Sequence, residues 1–415
     1  YVTLWNPDAF IKTTIIPVVL MFVINLLILM RMLRHTPLQF LRCDLKKNKR
    51  KKAMRLPKWN FLSRFRLRII FQNIPNYLIL FVGIAVISIM LAMAIGMPST
   101  LQYYKDNTKD TMIADYQYVL KSYKDETGKE ITTKNSDAEK FSMDSLLYKT
   151  DAMDEEVSVY GVEDTSKYIS LPDAKNLKEK EVYISKPFRD KYDVAVGDTV
   201  TLNAKYEKKK YSFKVKGFFE HSQSIAVFMP IEQYRTAFDK DDDAFDGFFT
   251  NTKIKDVKKD YIATVITERE ITKMSNQLDH TMGSYMLYFQ FLCVVLSAVL
   301  IYLLTKIIIE KNEVAISMTK ILGYTDGEIA KLYLLATTIV VIVCAALSVL
   351  VGTLVMRNVW TVMLQSMSGW FTFIMGPLDY IKMFAFIFVG YLVVMLFDFR
   401  RIRKIPLDEA LKRVE

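Results

Sequence analysis

The chain has 415 residues, is 51% hydrophobic and 24% charged, and carries a formal net charge of +11. Its apolar residues gather in five runs without a charged residue, at 13–30, 69–97, 281–305, 332–356 and 383–397. Since a helix of roughly 20 apolar residues crosses a bilayer, an ordinary soluble domain is excluded and five transmembrane helices are predicted. The alternative, buried helices of a large soluble core, fits less well because such helices usually span about 8–20 residues.

Charges are distributed unevenly along the chain, which predicts its topology. Residues 42–68 contain twelve Lys and Arg and one acidic residue, a net charge of +11. Residues 98–283 contain 29 basic and 34 acidic residues, a net charge of −5. Because basic loops stay on the cytoplasmic side, we expect a multi-pass cell-membrane protein with 98–283 extracellular. The loop at 357–380 is then extracytoplasmic too, and the tail at 399–415 is cytoplasmic.

Residues 1–42 hold the first predicted transmembrane helix and resemble the end of the chain. NPDAFIK precedes this run and GPLDYIK precedes the last one, so that an offset of 370 aligns Pro7 with Pro377 and Lys12 with Lys382. Parallel repeats in one membrane protein usually indicate two similar halves, although chance similarity is the alternative. We interpret 1–42 as the last transmembrane helix of a first half and 59–415 as a complete second unit.

A basic cytoplasmic linker with an amphipathic helix is predicted at 43–73. The run KKNKRKK also suits a nucleic-acid patch, but beside a membrane each basic residue gains about 1 kcal/mol from anionic lipid. We therefore expect anionic lipids and no nucleic acid as its partner. KWNFLSRFRLRIIFQN suits a helix in the headgroup layer, or alternatively the plain start of the next span. The expected membrane-interface residues are Trp59, Phe61, Arg64, Phe65, Arg66 and Arg68.

The transmembrane helix at 74–97 leads into an outer segment, 98–283, which is predicted to be an α+β domain with helical stalks. Strands are predicted at EVYIS, VGDTVTL, YSFKVKGFF and AVFMP, and short helices at KPFRDKY and IEQYRTAF. ADYQYVLKS and KEITTK flank DETG and predict a hairpin. The stalks at 99–109 and 271–285 would couple the tilt of the domain to the position of the helices. The predicted fold class is an α-helical membrane protein with five transmembrane helices and an α+β extracytoplasmic domain.

Three further transmembrane helices follow, at 284–306, 332–356 and 381–398, and a cytoplasmic segment at 307–331 joins the first two. Gly323 can end a helix in this segment with positive φ at no Cβ cost. A solvated connector, the alternative, explains the charges but not Val314, Ile316 and Ile321, which need a surface to bury against. Two acidic residues at the ends of spans, Glu310 and Asp398, are expected to face water.

The residues that would carry catalysis are missing from the sequence. There is no Gly-x-x-x-x-Gly-Lys-Ser/Thr for phosphate, no Cys-x-x-Cys and no His-Glu-x-x-His. The acidic run DKDDDAFD lacks the Gly and the final Glu of a calcium-binding EF-hand, so a solvated loop is expected there. We expect a non-catalytic chain without a metal or cofactor of its own, in which another subunit drives any transport.

The order of elements resembles that of FtsX/MacB-type ABC transporter permeases. The most specific part is the segment at 307–331, where a Glu, then Glu-[Ile/Val]-Ala-Ile, a basic residue and Leu-Gly follow one another. The outer run EVYISKPFRDKYDVAVGDTVTL looks like the core of a MacB-type domain, and the closing IPLDEALK matches a Pro-x-x-Ala-Leu ending. The resemblance covers 59–415 and, through the repeat, 1–42.

The resemblance implies a mechanism and partners for the chain. Such permeases pair with a cytoplasmic ABC ATPase dimer, which holds the ATP and Mg²⁺, and here the first permease half would be the other partner, within the same polypeptide. The segment at 307–331 would be the coupling loop that docks on the ATPase. The ATPase-coupling residues that it implies are Glu310, Glu313, Val314, Ile316, Lys320, Leu322, Gly323, Tyr324 and Glu328.

The leading hypothesis is therefore the membrane subunit of a mechanotransmission-type ABC transporter in a Gram-positive bacterium. It would expel or extract an antimicrobial peptide, a lipid or a lipoprotein. Two alternatives stay open. One is an FtsX-like regulator of peptidoglycan hydrolases, and the other is a membrane receptor or adhesin without an ATPase.

Overall fold

A computed structural model describes residues 6–33, 61–172 and 174–406. The chain forms two compact units, residues 1–59 and 60–415. Five of the described helices are long and apolar enough to cross a membrane, which agrees with the five predicted runs. The parts of the two repeated segments that follow residues 33 and 406 lie outside the described residues. The basic run of 43–58 also lies outside them.

The first unit contains a membrane helix that begins at a proline. Helix α1 (Pro7–Phe10) continues through a π-helical turn (Ile11–Ile15) into α2 (Ile16–Leu33). The side chain of Asn6 caps it by accepting hydrogen bonds from the backbone N–H of Asp8 (3.1 Å) and Ala9 (3.3 Å). Pro suits the first turn of a helix because its missing N–H has no partner there anyway. Pro377, the repeat partner of Pro7, also begins a helix.

The second unit begins with the amphipathic helix and the next membrane helix, separated by a turn. Helix α3 (Phe61–Gln72) ends before Asn73, and α4 (Ile74–Asp106) follows. The apolar run at 69–97 is therefore divided between two helices, because Pro75 at the start of α4 cannot donate the hydrogen bond that would continue α3. At about 1.5 Å per residue, α4 is longer than a bilayer is thick. Its last two turns form the predicted stalk.

The outer domain follows a short helix, α5 (Thr108–Thr111). Among the described residues it contains nine strands, two short α-helices and two 3-10 turns, Ala174–Asn176 and Lys259–Tyr261. Four of the nine strands correspond to the strands predicted singly, one corresponds to the first strand of the predicted hairpin, and four have no predicted counterpart. The elements are β1 (Tyr116–Leu120), β2 (Glu139–Lys149), β3 (Asp154–Val162), β4 (Glu181–Ser185), α6 (Lys186–Tyr192), β5 (Thr199–Ala204), β6 (Lys210–Phe219), β7 (Ala226–Pro230), α7 (Ile231–Ala237), β8 (Gly247–Thr250) and β9 (Ile262–Thr267).

The nine strands form one strongly curved sheet. Their order is β3-β7-β4-β6-β5-β2-β8-β1-β9, and β3 also pairs with β2, which closes six of the strands into a ring. The predicted strands β4, β5, β6 and β7 and the helices α6 and α7 are confirmed. The predicted hairpin is only partly right. DETG turns with Gly128 at φ +79°, but KEITTK forms an isolated bridge, Lys124 to Glu130, instead of a strand.

Four long helices of the second unit pack together as the membrane bundle. They are α4, α8 (Glu268–Lys311), α10 (Asp326–Gln365) and α11 (Pro377–Lys404). Buried side chains such as Leu80, Ile301 and Ile387 form its core. The helix α8 starts in the outer domain directly after β9, so it includes the second predicted stalk. The outer domain therefore enters the bundle through two continuous helices, α4 and α8.

Candidate coupling site

The cytoplasmic segment between α8 and α10 begins with a break at Asn312. The backbone N–H of Asn312 donates to the carbonyls of Ile308 (3.2 Å) and Ile309 (3.0 Å), and its side-chain amide donates to Ile308 O (2.7 Å). These bonds satisfy the end of α8, and a new helix, α9 (Glu313–Ile321), starts at once. The segment is thus a short separate helix between two membrane helices.

One side of α9 is buried against its own chain. Ile316 is fully buried and lies in a cluster with Ile69 of α3, Ile329 and Tyr333 of α10, and Ile402 of α11. Ile316 is therefore covered by its own chain, and its predicted part in coupling stays a prediction. The surface that it needs is supplied by the cytoplasmic ends of the bundle, which fix α9 in place.

The end of α9 has the geometry that its Leu-Gly-Tyr sequence predicts. Gly323 has φ +91°, and its N–H donates to Lys320 O at 3.0 Å, while the N–H of Tyr324 donates to Thr319 O at 3.4 Å. This pair of bonds is the Schellman motif, in which a glycine in the left-handed region satisfies the last carbonyls of a helix. The prediction of a positive φ at Gly323 is confirmed.

The next helix begins with a capping box. Thr325 Oγ1 accepts from the backbone N–H of Glu328 (3.4 Å), and Glu328 Oε2 accepts from the backbone N–H of Thr325 (2.9 Å). Each side chain thus satisfies a free N–H group of the first turn of α10. The carboxylate of Glu328 caps this helix and is exposed, and its predicted contact with a partner stays a prediction.

Two charged side chains, Lys320 and Glu310, attach the segment and the end of α8 to the end of α11. Lys320 Nζ donates to Arg403 O (3.2 Å) and Ile405 O (3.0 Å), and it pairs with Asp326 at 3.0 Å. Glu310, at the end of α8, pairs with Arg401 at 2.5 Å. All three ammonium protons of Lys320 have acceptors within the chain. In this structure Lys320 positions α9, and its predicted contact with the ATPase stays a prediction.

The side of α9 that faces away from the bundle is apolar and exposed. Leu322 is 72% exposed, Met318 57%, Ile321 47% and Tyr324 41%. We refer to these four residues as the docking face. Glu313 and Val314 lie at the start of α9 and are half-buried. Exposed large apolar side chains that cluster in this way are typical of a surface that binds a protein.

The expected membrane-interface residues are only partly on a free surface. Trp59 lies outside the described residues, and of Phe61 only the backbone is described, as the first residue of α3. Phe65 packs edge-on against Tyr333 at 6.0 Å between ring centroids. Arg66 is half-buried, whereas Arg64 and Arg68 are exposed. Part of the apolar side of α3 therefore covers α10 and not lipid.

Of the two acidic residues expected to face water, only one does. The side chain of Glu310 is 47% exposed, but Asp398 is 1% exposed. Asp398 lies beside Thr305 of α8, and the packing of α11 on α8 removes it from water. The prediction for Asp398 is therefore wrong, because an apolar run shows where a helix is but not which side of it is covered.

The fold and the segment together define a multi-pass membrane protein with an extracytoplasmic domain. Residues 287–407 match the family described as FtsX-like permease C-terminal. The matched region contains residues 287–311 of α8 and all of α9, α10 and α11, and the resemblance to FtsX-like permeases seen in the sequence is confirmed for this part of the chain.

Comparisons with solved structures and with curated proteins add little information about the rest of the chain. Among solved structures, the chain is similar to the extracellular domain of the noncanonic ABC-type transporter YknZ from Gram-positive bacteria. The identity is 11%, the match covers 40% of this chain and 95% of that one, and the TM-score is 0.23. A score this low does not establish a common fold. No curated protein matches the sequence.

Proposed function

We propose that this chain is the membrane subunit of an ABC-type system in which a separate cytoplasmic ATPase dimer supplies the force. The observation that carries the proposal is the docking face, on a short helix held between two membrane helices of an FtsX-like permease domain. Ionic contacts and the buried Ile316 fix the back of α9 to α8, α10 and α11. A force applied to the docking face would therefore be transmitted to all three helices.

The outer domain would receive this motion through α4 and α8. Both helices leave the bundle without a break and end in the outer domain, one before β1 and the other after β9. A tilt of either helix must therefore move the domain. The work would be the expulsion or extraction of an amphiphile, namely an antimicrobial peptide, a lipid or a lipoprotein, with ATP and Mg²⁺ bound by the partner.

The test is purification of the full-length chain from its native membrane, identification of any ATPase that co-purifies with it, and ATPase assays of the two in lipid nanodiscs. We expect the wild-type chain to bind the ATPase and stimulate hydrolysis, and Leu322→Asp to abolish both. Tyr206→Asp is the matched control, since Tyr206 is 95% exposed on the outer domain. Equal binding and stimulation by wild type and Leu322→Asp would refute the docking face, and the absence of any co-purifying ATPase would favour a receptor or adhesin.

A further inference from the structure

The loop between α10 and α11, residues 366–376, touches the outer domain as well as the membrane bundle. We call it the joint loop. It meets the domain at an ion pair formed by Glu155, in β3, and Lys191, in α6. The side chains of both residues are almost completely buried, at 1% and 0% exposure. Neither residue belongs to a stalk, so this contact is separate from the two covalent connections.

The joint loop supplies the hydrogen bonds that the buried pair needs. Lys191 Nζ contacts Glu155 Oε2 and donates to the carbonyls of Met367 (2.7 Å) and Gly369 (3.1 Å). Glu155 Oε1 accepts from Ser368 Oγ (3.1 Å) and from the N–H of Gly369 (3.0 Å). All three ammonium protons thus have acceptors, and two of these are backbone atoms of the loop.

A tyrosine completes the surroundings of the carboxylate. The hydroxyl of Tyr192 donates to Glu155 Oε2 at 3.0 Å. Burial and the neighbouring Glu155 carboxylate raise the pKa of Tyr192, so its hydroxyl stays protonated and remains a donor. Both oxygens of Glu155 therefore have partners, one set from the outer domain and one from the joint loop.

On its other side the joint loop contacts the first stalk, which is the end of α4, and the membrane bundle. Thr100 Oγ1 donates to Ile374 O (2.9 Å) and accepts from Ile374 N–H (3.0 Å), and Tyr104 OH accepts from Thr372 N–H (2.9 Å). Trp370 packs against both the bundle core and the core of the outer domain. The loop therefore contacts the domain, α4 and the two helices that it connects.

We propose that the joint loop is a third, non-covalent connection that clamps the outer domain to α10 and α11, and that Glu155 and Lys191 hold it closed. The domain then moves with the last two membrane helices as well as with its stalks. The clamp itself is independent of any ATPase. Its use as a path for force rests on the proposed function.

The chemistry of the pair suits a connection that can open. A buried ion pair costs several kcal/mol per ion in desolvation, which hydrogen bonds must offset. If the loop left, two protons of Lys191 and one oxygen of Glu155 would lose their protein partners, but water would reach them. The polar groups are then hydrogen-bonded in both states, to the loop when it is closed and to water when it is open, so neither state leaves them unpaired.

The test is hydrogen exchange of the full-length chain in lipid nanodiscs without ATPase or nucleotide. It uses the charge-swapped double variant Glu155→Lys/Lys191→Glu. The swap keeps an ion pair within the domain but sets a carboxylate against the carbonyls of Met367 and Gly369. We expect the amides of 369–374 to exchange about tenfold faster or more, with β3 and β7 unchanged, because only the loop opens locally. Wild-type exchange of the loop in the swap would overturn the proposal.

A second variant tests the clamp if the charge swap unfolds the sheet of the outer domain. Gly369→Pro changes only the loop: Gly369 has φ +84°, which proline cannot adopt, and proline lacks the N–H that Glu155 accepts. Fast exchange of the loop with a protected sheet supports the clamp, and unchanged exchange overturns it. Because no ATPase is present, a failure here is distinct from a failure of the proposed function.

A distance measurement reports the clamp itself and not the stability of the domain. Spin labels replace Tyr206, on the outer domain, and Leu378, 68% exposed at the start of α11, in a chain whose own cysteines are replaced by alanine. We expect a narrow distance distribution in the wild-type background and a broad one in Gly369→Pro. Equal widths would show that the stalks alone position the domain, which contradicts the proposal.

Discussion

The membrane bundle carries two short connecting segments, the cytoplasmic one at 312–325 and the joint loop at 366–376, and they differ in what they leave exposed. In the cytoplasmic segment Lys320 pairs with an Asp326 side chain that is 39% exposed, and four large apolar side chains face outward. The joint loop covers a buried ion pair of the outer domain, Glu155 and Lys191, and its Trp370 packs against the cores of both the bundle and the domain. The cytoplasmic segment is thus an incomplete surface that suits a partner, whereas the joint loop is completed by its own chain.

The largest expected effect is on stability, and it distinguishes Lys191, which contacts the joint loop, from Lys320 in the cytoplasmic segment. Lys191→Met leaves Glu155 buried without its cation, and breaking a buried pair in this way costs about 3–5 kcal/mol. Lys320→Met removes bonds to two carbonyls and to a carboxylate that is 39% exposed and stays partly hydrated, so we expect a smaller cost of about 1–2 kcal/mol. Thermal unfolding of both variants in detergent measures the difference. Equal shifts of the two midpoints would mean that the buried pair has no special role.

The second prediction concerns the glycine that ends α9. Gly323→Val forces a β-branched side chain into the left-handed region, which costs about 1–3 kcal/mol. No atom lies within 4 Å of a Cβ added there, so the cost is backbone strain alone. Gly323→Asn is the matched control, because Asn tolerates this region. We expect Val to reduce ATPase stimulation with insertion intact and Asn to retain it. Full stimulation by the Val variant would make the segment a passive connector.

The third prediction tests the capping box at the start of α10. Thr325→Ala removes the side-chain acceptor for Glu328 N–H, and loss of such a cap costs about 1 kcal/mol. Thr325→Ser keeps the hydroxyl and should be close to wild type. Hydrogen exchange of the amides of 326–329 measures directly how far the first turn of α10 frays when the cap is lost. Identical exchange in Ala and Ser variants would contradict the role of the cap.

The smallest effect on stability is expected at the docking face. Met318→Ser changes a side chain that is 57% exposed, and surface substitutions of this kind usually lie within about 0.5 kcal/mol. ATPase stimulation should nevertheless fall, because apolar contact area with the partner is lost. Met367→Ser in the joint loop is the control, since Met367 is also exposed, at 51%. A loss of stimulation in both variants would show that the effect is not local.

Much of this architecture follows from local sequence, and the contacts between distant segments do not. Charge-free runs predict the membrane helices, and Leu-Gly-Tyr predicts the end of α9, because these signals lie within a few residues. The strands β2 and β3 are half polar, so their apolar pattern is weak.

The contacts of the two lysines could not be predicted either. Lys191 lies 176 residues from Met367, and Lys320 lies 85 from Ile405. Nothing in the sequence around either residue indicates such a partner. Only the packing of the fold shows that Lys320 serves the chain itself.

Hydroxyl-radical footprinting of the full-length chain with and without its ATPase tests the central claim most directly. Met318 and Leu322 of the docking face are open to oxidation in the chain alone, and Met367 of the joint loop is a reference on the opposite side of the membrane. We predict that the ATPase lowers oxidation of Met318 and Leu322 and leaves that of Met367 unchanged. Undiminished oxidation of Met318 and Leu322 in a stable complex would contradict the account.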